Sequence, residues 1–258
     1  MDSLPVELIT KIAFLACTDG GRTGSALSAV SKRIRDTSHP ARYFTVSLAS
    51  CPERFDAFIN TYESQRSRIP QTTPRVSHLF LSLLPVEGEP MYRVPPLPFE
   101  QMFHAYDKYL ASLHTLGETY GPTLGRIIRA LAPDLETLTF VRGEWKGVGA
   151  VHCAFPRLRE LTLVDACPEF LRIEDAPPSQ APVFPALARL HTVEHFYARP
   201  LDFRLWAPHA PRLTHLRCSG IHHHNSPTAV SLQEISGKSF VLQTRASCFV
   251  PPHIASGG

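Results

Sequence analysis

A short pattern, apolar-x-x-apolar-x-apolar, returns along the chain and limits its fold more than any other feature. It reads Val76-x-x-Leu79-x-Leu81, Leu135-x-x-Leu138-x-Phe140 and Leu158-x-x-Leu161-x-Leu163. Weaker copies are Leu187-x-x-Leu190-x-Thr192 and Leu213-x-x-Leu216-x-Cys218, and Tyr43-x-x-Val46-x-Leu48 makes a leading copy. Prolines at 74, 133, 156, 185 and 211 stand two positions ahead of the first apolar residue, with spacings of 59, 23, 29 and 26. The last two apolar positions are two apart, the period of a strand, so the residues between them face the other way. One such strand cannot bury its apolar side alone, and successive units must stack. Helices fit between the units: residues 53–66 carry Phe55, Phe58, Ile59 and Tyr62, and residues 123–132 carry Leu124, Ile127, Ile128 and Leu131, at helical spacing.

Three of the four spacings match the length of a leucine-rich repeat, and 59 is near twice one unit. Residues 49–221 resemble an irregular leucine-rich-repeat region. Such repeats carry Asn or Cys three positions after the third apolar residue, where this chain has Leu84, Gly143, Ala166, His195 and Ile221. The repeats are therefore degenerate, and a mixed α/β domain without a regular horseshoe is the alternative. If the stack forms, the outward strand positions Phe80, Thr139, Thr162, His191 and Arg217 make a concave face for a target protein, with Arg159, Arg189 and His215 near its rims.

Ahead of the repeats, Leu4, Leu8, Ile9, Ile12 and Leu15 recur at intervals of three and four, the apolar stripe of a helix over 4–16. Pro5 suits the first turn, and Asp2 or Ser3 is a candidate cap. Residues 18–24, rich in glycine, predict a loop. A second stripe at Leu27, Val30 and Ile34 predicts another helix that ends before His39-Pro40. A hairpin this small cannot cover its own apolar stripes and needs a partner.

The run Leu4-Pro5-Val6-Glu7-Leu8-Ile9, the later Ile12 and Leu15, and Leu27-Ser28-Ala29-Val30-Ser31-Lys32-Arg33 look like the F-box motif. With Pro40-Ala41-Arg42-Tyr43, residues 3–48 are similar to the F-box variant of mushroom-forming fungi. Ile34 stands where many members have an aromatic residue. The resemblance implies a helical unit, residues 1–48, that packs on a Skp-type adaptor and through it reaches a cullin. Its implied contact set is Leu4, Pro5, Leu8, Ile9, Ile12, Leu27, Val30, Ser31 and Lys32. The whole would be an α/β chain: an N-terminal helical F-box, then an irregular leucine-rich-repeat-like solenoid. It would act as the substrate receptor of a ubiquitin ligase. The alternative is a repeat-type interaction scaffold not engaged with a ligase.

No reaction centre is legible. The six cysteines never form a CxxC pair, so the close thiolate spacing of zinc sites is missing. Cys153 follows His152 without a signature of a nucleophile, and His222-His223-His224 reads as a solvated loop rather than converging ligands. Glu174-Asp175 lies beside Pro177-Pro178, in what reads as an exposed linker. Neither GxxxxGK[ST] nor GxGxxG occurs. We expect no metal, no cofactor and no catalysis. A net charge of +3, spread among acids, does not point to nucleic acid. No run approaches a membrane span, and the unpaired cysteines suit the reducing cytosol or nucleus. Five prolines in 84–98 and four in 174–185 predict irregular loops. Beyond Ile221 the pattern fades except near Ser239–Thr244, so residues 222–258 are expected to be a poorly ordered tail, frayed or truncated.

Overall fold

A computed structural model describes residues 4–49, 52–68, 75–82, 111, 115, 118–143, 153–166, 181–193, 203–219 and 241–245. The chain begins with three helices, α1 (Val6–Ala16), α2 (Arg22–Val30) and α3 (Lys32–Arg42). Pro5 sits just before the first helical residue, and its carbonyl accepts the N–H groups of Leu8 and Ile9, each at 3.1 Å. The suggested caps Asp2 and Ser3 lie outside the described residues.

Several boundaries differ from expectation. Helix α1 begins at Val6 rather than at residue 4, and α3 runs past His39-Pro40, the expected end of the second helix. Two more differences lie between them. Arg22, Thr23 and Gly24, expected in a loop, open α2. The Asp19 carboxylate accepts the Thr23 N–H at 2.9 and 3.1 Å and the Thr23 hydroxyl at 2.7 Å, which serves a first-turn donor with no helical partner. These bonds lower the Asp19 pKa. The single second helix is in fact two. Ser31 is fully extended (φ −159°, ψ 163°), and its hydroxyl accepts the Ile34 N–H at 3.2 Å, capping α3. That helix continues through Pro40 in its last turn, where the ring leaves the Asp36 carbonyl without its i+4 donor and only two helical residues follow.

Strands follow at β1 (Thr45–Ala49), β2 (His78–Ser82), β3 (Thr137–Gly143), β4 (Glu160–Ala166), β5 (Arg189–Val193), β6 (His215–Ser219) and β7 (Val241–Arg245). They form one seven-stranded sheet, parallel throughout and ordered as in the chain. Between them run α4 (Pro52–Arg68), a helix α5 over 118–131, and the short α6 (Phe203–Trp206). The protein is thus mixed α/β, with helices first and a parallel sheet after.

The pairing register repeats the sequence pattern unit by unit. Val46, Leu79, Leu138, Leu161, Leu190, Leu216 and Leu242 align across all seven strands, and Leu48, Leu81, Phe140, Leu163, Thr192, Cys218 and Thr244 form the next aligned row. From β1 to β6 both rows are buried, together with the leading Tyr43, Val76, Leu135, Leu158, Leu187 and Leu213. Helices α4 and α5 close this core with Phe55, Ile59, Tyr62, Leu124, Ile127, Ile128 and Leu131. The two helices are also tied directly, by Thr123 to Asp56 at 2.7 Å and Arg126 to Glu63 at 2.7 Å.

The prolines have a mechanical role. In the last three units, the N–H of Leu158, Leu187 and Leu213 donates to the carbonyl three residues earlier, at Phe155, Phe184 and Ala210. Pro156, Pro185 and Pro211 then occupy the second position of each turn, which suits their fixed φ. The residue opening each turn faces inward, and Phe155 stacks on Phe184 (5.3 Å) and Phe184 on Trp206 (5.5 Å).

The strand β7 lies inside the stretch expected to be a tail, so the sheet does not stop at 221. Its sequence, Val-Leu-Gln-Thr-Arg, keeps one leucine of the pattern, and ladder bonds to the edge of β6 supply what the side chains lack. The positions Leu84, His195 and Ile221, the segment 84–98, residues 174–180 and Pro74 are outside the described residues.

Candidate binding surfaces

Two surfaces gather the residues singled out by sequence. The first is on the helical unit. Helix α1 turns Ile9 and Ala13 inward, where Ala13 joins Cys17, Ala41 and the partly buried Phe14 and Leu27 in a small core. Its other side stays open: Leu8 is 48 % exposed, Ile12 54 % and Leu15 73 %, with Leu4 and Val6 also exposed. Val30, at the end of α2, is 66 % exposed. The Arg33 guanidinium donates to the Leu4 carbonyl at 2.7 Å, which holds the α2–α3 junction against the start of α1. Leu4, Leu8, Ile12 and Val30 therefore belong to an uncovered apolar surface, whereas Ile9 and Leu27 serve the core. Ser31 is a helix cap, and Pro5 and Lys32 are exposed. Val6 is also exposed, but two positions before Leu8 it lies about 200° round the helix from it, away from the Leu8, Ile12 and Leu15 stripe.

The reason for the split is economy of core. Three helices of nine to eleven residues share a centre built from Ala13, Cys17 and Ala41, small side chains that allow close approach. Gly24 is part of this: a Cβ there would stand 2.9 Å from the Arg42 Cα. So small a centre has no room for Leu8, Ile12 or Val30.

The helical unit is joined to the sheet by a row of rings. Phe14 meets Phe44 edge-on at 5.1 Å, and Phe44 meets His78 at 4.7 Å. His78 Nδ1 lies 2.8 Å from the Thr137 hydroxyl, one strand further.

The second surface is the outward face of the sheet. Ser47, Phe80, Thr139, Thr162, His191, Arg217 and Gln243 align in one row across the seven strands, so the five positions named from sequence fall on a single line. Beside it runs Thr45, His78, Thr137, Glu160, Arg189, His215 and Val241. Arg189 and His215 thus lie on the face itself, while Arg159 precedes β4 and is exposed. A third row passes through Val141, Val164 and Val193, all half-buried, which sequence reading missed. Its signal was present as the residue directly after each third core position.

Over β4–β6 this face holds a shallow depression lined by Glu160, Thr162, Arg189, His191, His215 and Arg217. Arg189 is ion-paired to Glu160. His191 Nε2 is 3.2 Å from the Ser219 hydroxyl, and burial, then the neighbouring Arg217, lowers its pKa from 6.5.

Other sequence candidates resolve differently. Cys17 is fully buried and Cys153 is partly so, and both are free thiols. Burial pushes the Cys153 thiol up to about 11 and also raises that of Cys17, which leaves little of the reactive thiolate at neutral pH. His152, Glu174-Asp175, His222–His224, Cys51, Cys167 and Cys248 lie outside the described residues. Among the described residues no group of three or more His, Cys, Asp or Glu converges as metal ligands do. No helix among them is long and apolar enough to cross a membrane. No protein-family model matches the chain, and no curated protein matches it in sequence.

Proposed function

We propose that the chain is a substrate-receptor subunit of a Skp/cullin/F-box ubiquitin ligase, with no catalysis of its own. The N-terminal helices would be an F-box that grips the adaptor, and the sheet a degenerate leucine-rich-repeat array that holds a target. The observation that carries this reading is the open apolar side of α1 and the α2 end, where Leu8, Ile12, Leu15 and Val30 are each about half exposed or more. Isolated surface leucines need no explanation, but a stripe at i, i+4, i+7 on one helix does. The order of the sequence motif, with its Leu-Pro opening and the later Val-Ser-Lys, supports assigning that stripe to the Skp adaptor. A uniformly parallel sheet ordered as in the chain fits an array of stacked repeats. In this reading the protein acts by proximity, holding a target near a charged conjugating enzyme and raising its effective concentration.

The test is capture of a purified Skp-type adaptor by the full chain, with Leu8→Asp as control. The wild type should bind and the variant should not, because docking would bury an unpaired carboxylate. A wild-type chain that folds and leaves the adaptor in the flow-through overturns the ligase reading.

A further inference from the structure

The outward face of the sheet divides by charge. On β1–β3 its two leading rows hold Thr45, Ser47, His78, Phe80, Thr137 and Thr139, with no lysine, arginine or acid. On β5 and β6 the same rows hold Arg189 beside His215 and His191 beside Arg217. Neighbouring strands lie ~4.8 Å apart, so these four nitrogen-bearing side chains share one patch small enough for two or three residues of an extended peptide. Glu160 is the one carboxylate lining the depression among the described residues, and it is already engaged with Arg189. Arg217 is exposed and faces that depression, as a guanidinium fork suited to a carboxylate. Val164 and Val193, in the next row along β4 and β5, offer an aliphatic strip at its edge.

We propose that the β4–β6 patch recognises an extended acidic segment of the target protein. A carboxylate of that segment meets Arg217 with His191 and His215 beside it, a second competes with Glu160 for Arg189, and an aliphatic neighbour rests on Val164 and Val193. The inference rests on the reading that the sheet face receives the target. Charge complementarity is what selects an acidic occupant over a neutral or basic one.

Fluorescence polarisation of the full chain against a labelled octaglutamate peptide, with octaglutamine as the neutral comparison, tests this. Octaglutamate should bind and weaken as salt rises, and octaglutamine should not bind. Arg217→Ala, at an exposed position, should weaken binding about five- to tenfold, the loss of one charge-assisted contact. Glu160→Gln should tighten it several-fold by freeing Arg189, a gain that a merely damaged fold cannot produce. Equal binding of the two peptides, no binding of either, or indifference to both substitutions overturns the inference. Adaptor capture by the same preparation separates the two levels: peptide failure with capture intact sinks only this proposal, and failure of both sinks the receptor reading too.

Discussion

The Ser47 N–H donates to the Gly20 carbonyl at 3.3 Å, and through that bond the loop between the first two helices is fastened to the first strand. Gly20 has φ +75°, and a Cβ on it would lie 2.5 Å from the Ser47 Cβ. The glycine is required twice, by its own backbone and by its neighbour.

Gly20→Ala should accordingly destabilise the protein by about 2–4 kcal/mol, combining the left-handed backbone penalty with the overpacking. Denaturant unfolding measures it. Ser47→Gly removes the obstructing Cβ, so the double variant should cost less than the two single changes together. Simple additivity would show that the contact is not what excludes alanine.

Leu8 and Ile9 are neighbours with opposite roles. Ile9 is 8 % exposed and Leu8 48 %. Ile9→Ala should lower stability by about 2–4 kcal/mol, while Leu8→Ala should stay within about 1 kcal/mol. Thermal unfolding separates them, and equal losses would mean that the open side of α1 is covered in solution.

Phe184 is fully buried between Phe155 and Trp206, with its ring 5° from parallel to the indole. Phe184→Ala should cost about 3–5 kcal/mol, whereas Phe184→Leu, which keeps much of the volume, should cost less. If both variants melt like the wild type, the stack does not support the turn it spans.

His191 offers a pH test with a definite sign. Burial and Arg217 hold its pKa below 6.5, so the folded chain resists a proton that the unfolded chain accepts. Its contribution to stability is therefore present above 6.5 and is lost as pH falls from there through the folded value. Arg217→Ala should raise the midpoint, still below 6.5 because burial remains, as read from the imidazole Cε1 resonance by NMR. A midpoint that does not move would remove Arg217 as a cause.

The six apolar motifs from Tyr43 to Cys218 were legible as strands because each brings its own alternation, and the helices of α4 and α5 because their apolar residues repeat at 3.6. What could not be read was where neighbours substitute for pattern. The strand at Val241–Arg245 keeps a single leucine and exists through hydrogen bonds from β6. Helix α3 survives Pro40, and Ser31 splits what looked like one helix, because capping by a side chain is decided by backbone geometry rather than hydrophobic spacing.

Local spacing alone determined the inward rows, since a period of two leaves the strand no other side on which to place Leu79 and Leu81. It also determined that the first helix would carry more apolar surface than a short hairpin can cover. Only the tertiary structure decided which of those residues the hairpin keeps, Ile9 and Leu27, and which it leaves open, Leu8, Ile12 and Val30. The same holds for the patch of Arg189, His191, His215 and Arg217, brought together from two units 26 residues apart by the register of β5 on β6. Pairing distance between strands is a property of the folded sheet, and no periodicity within one strand contains it.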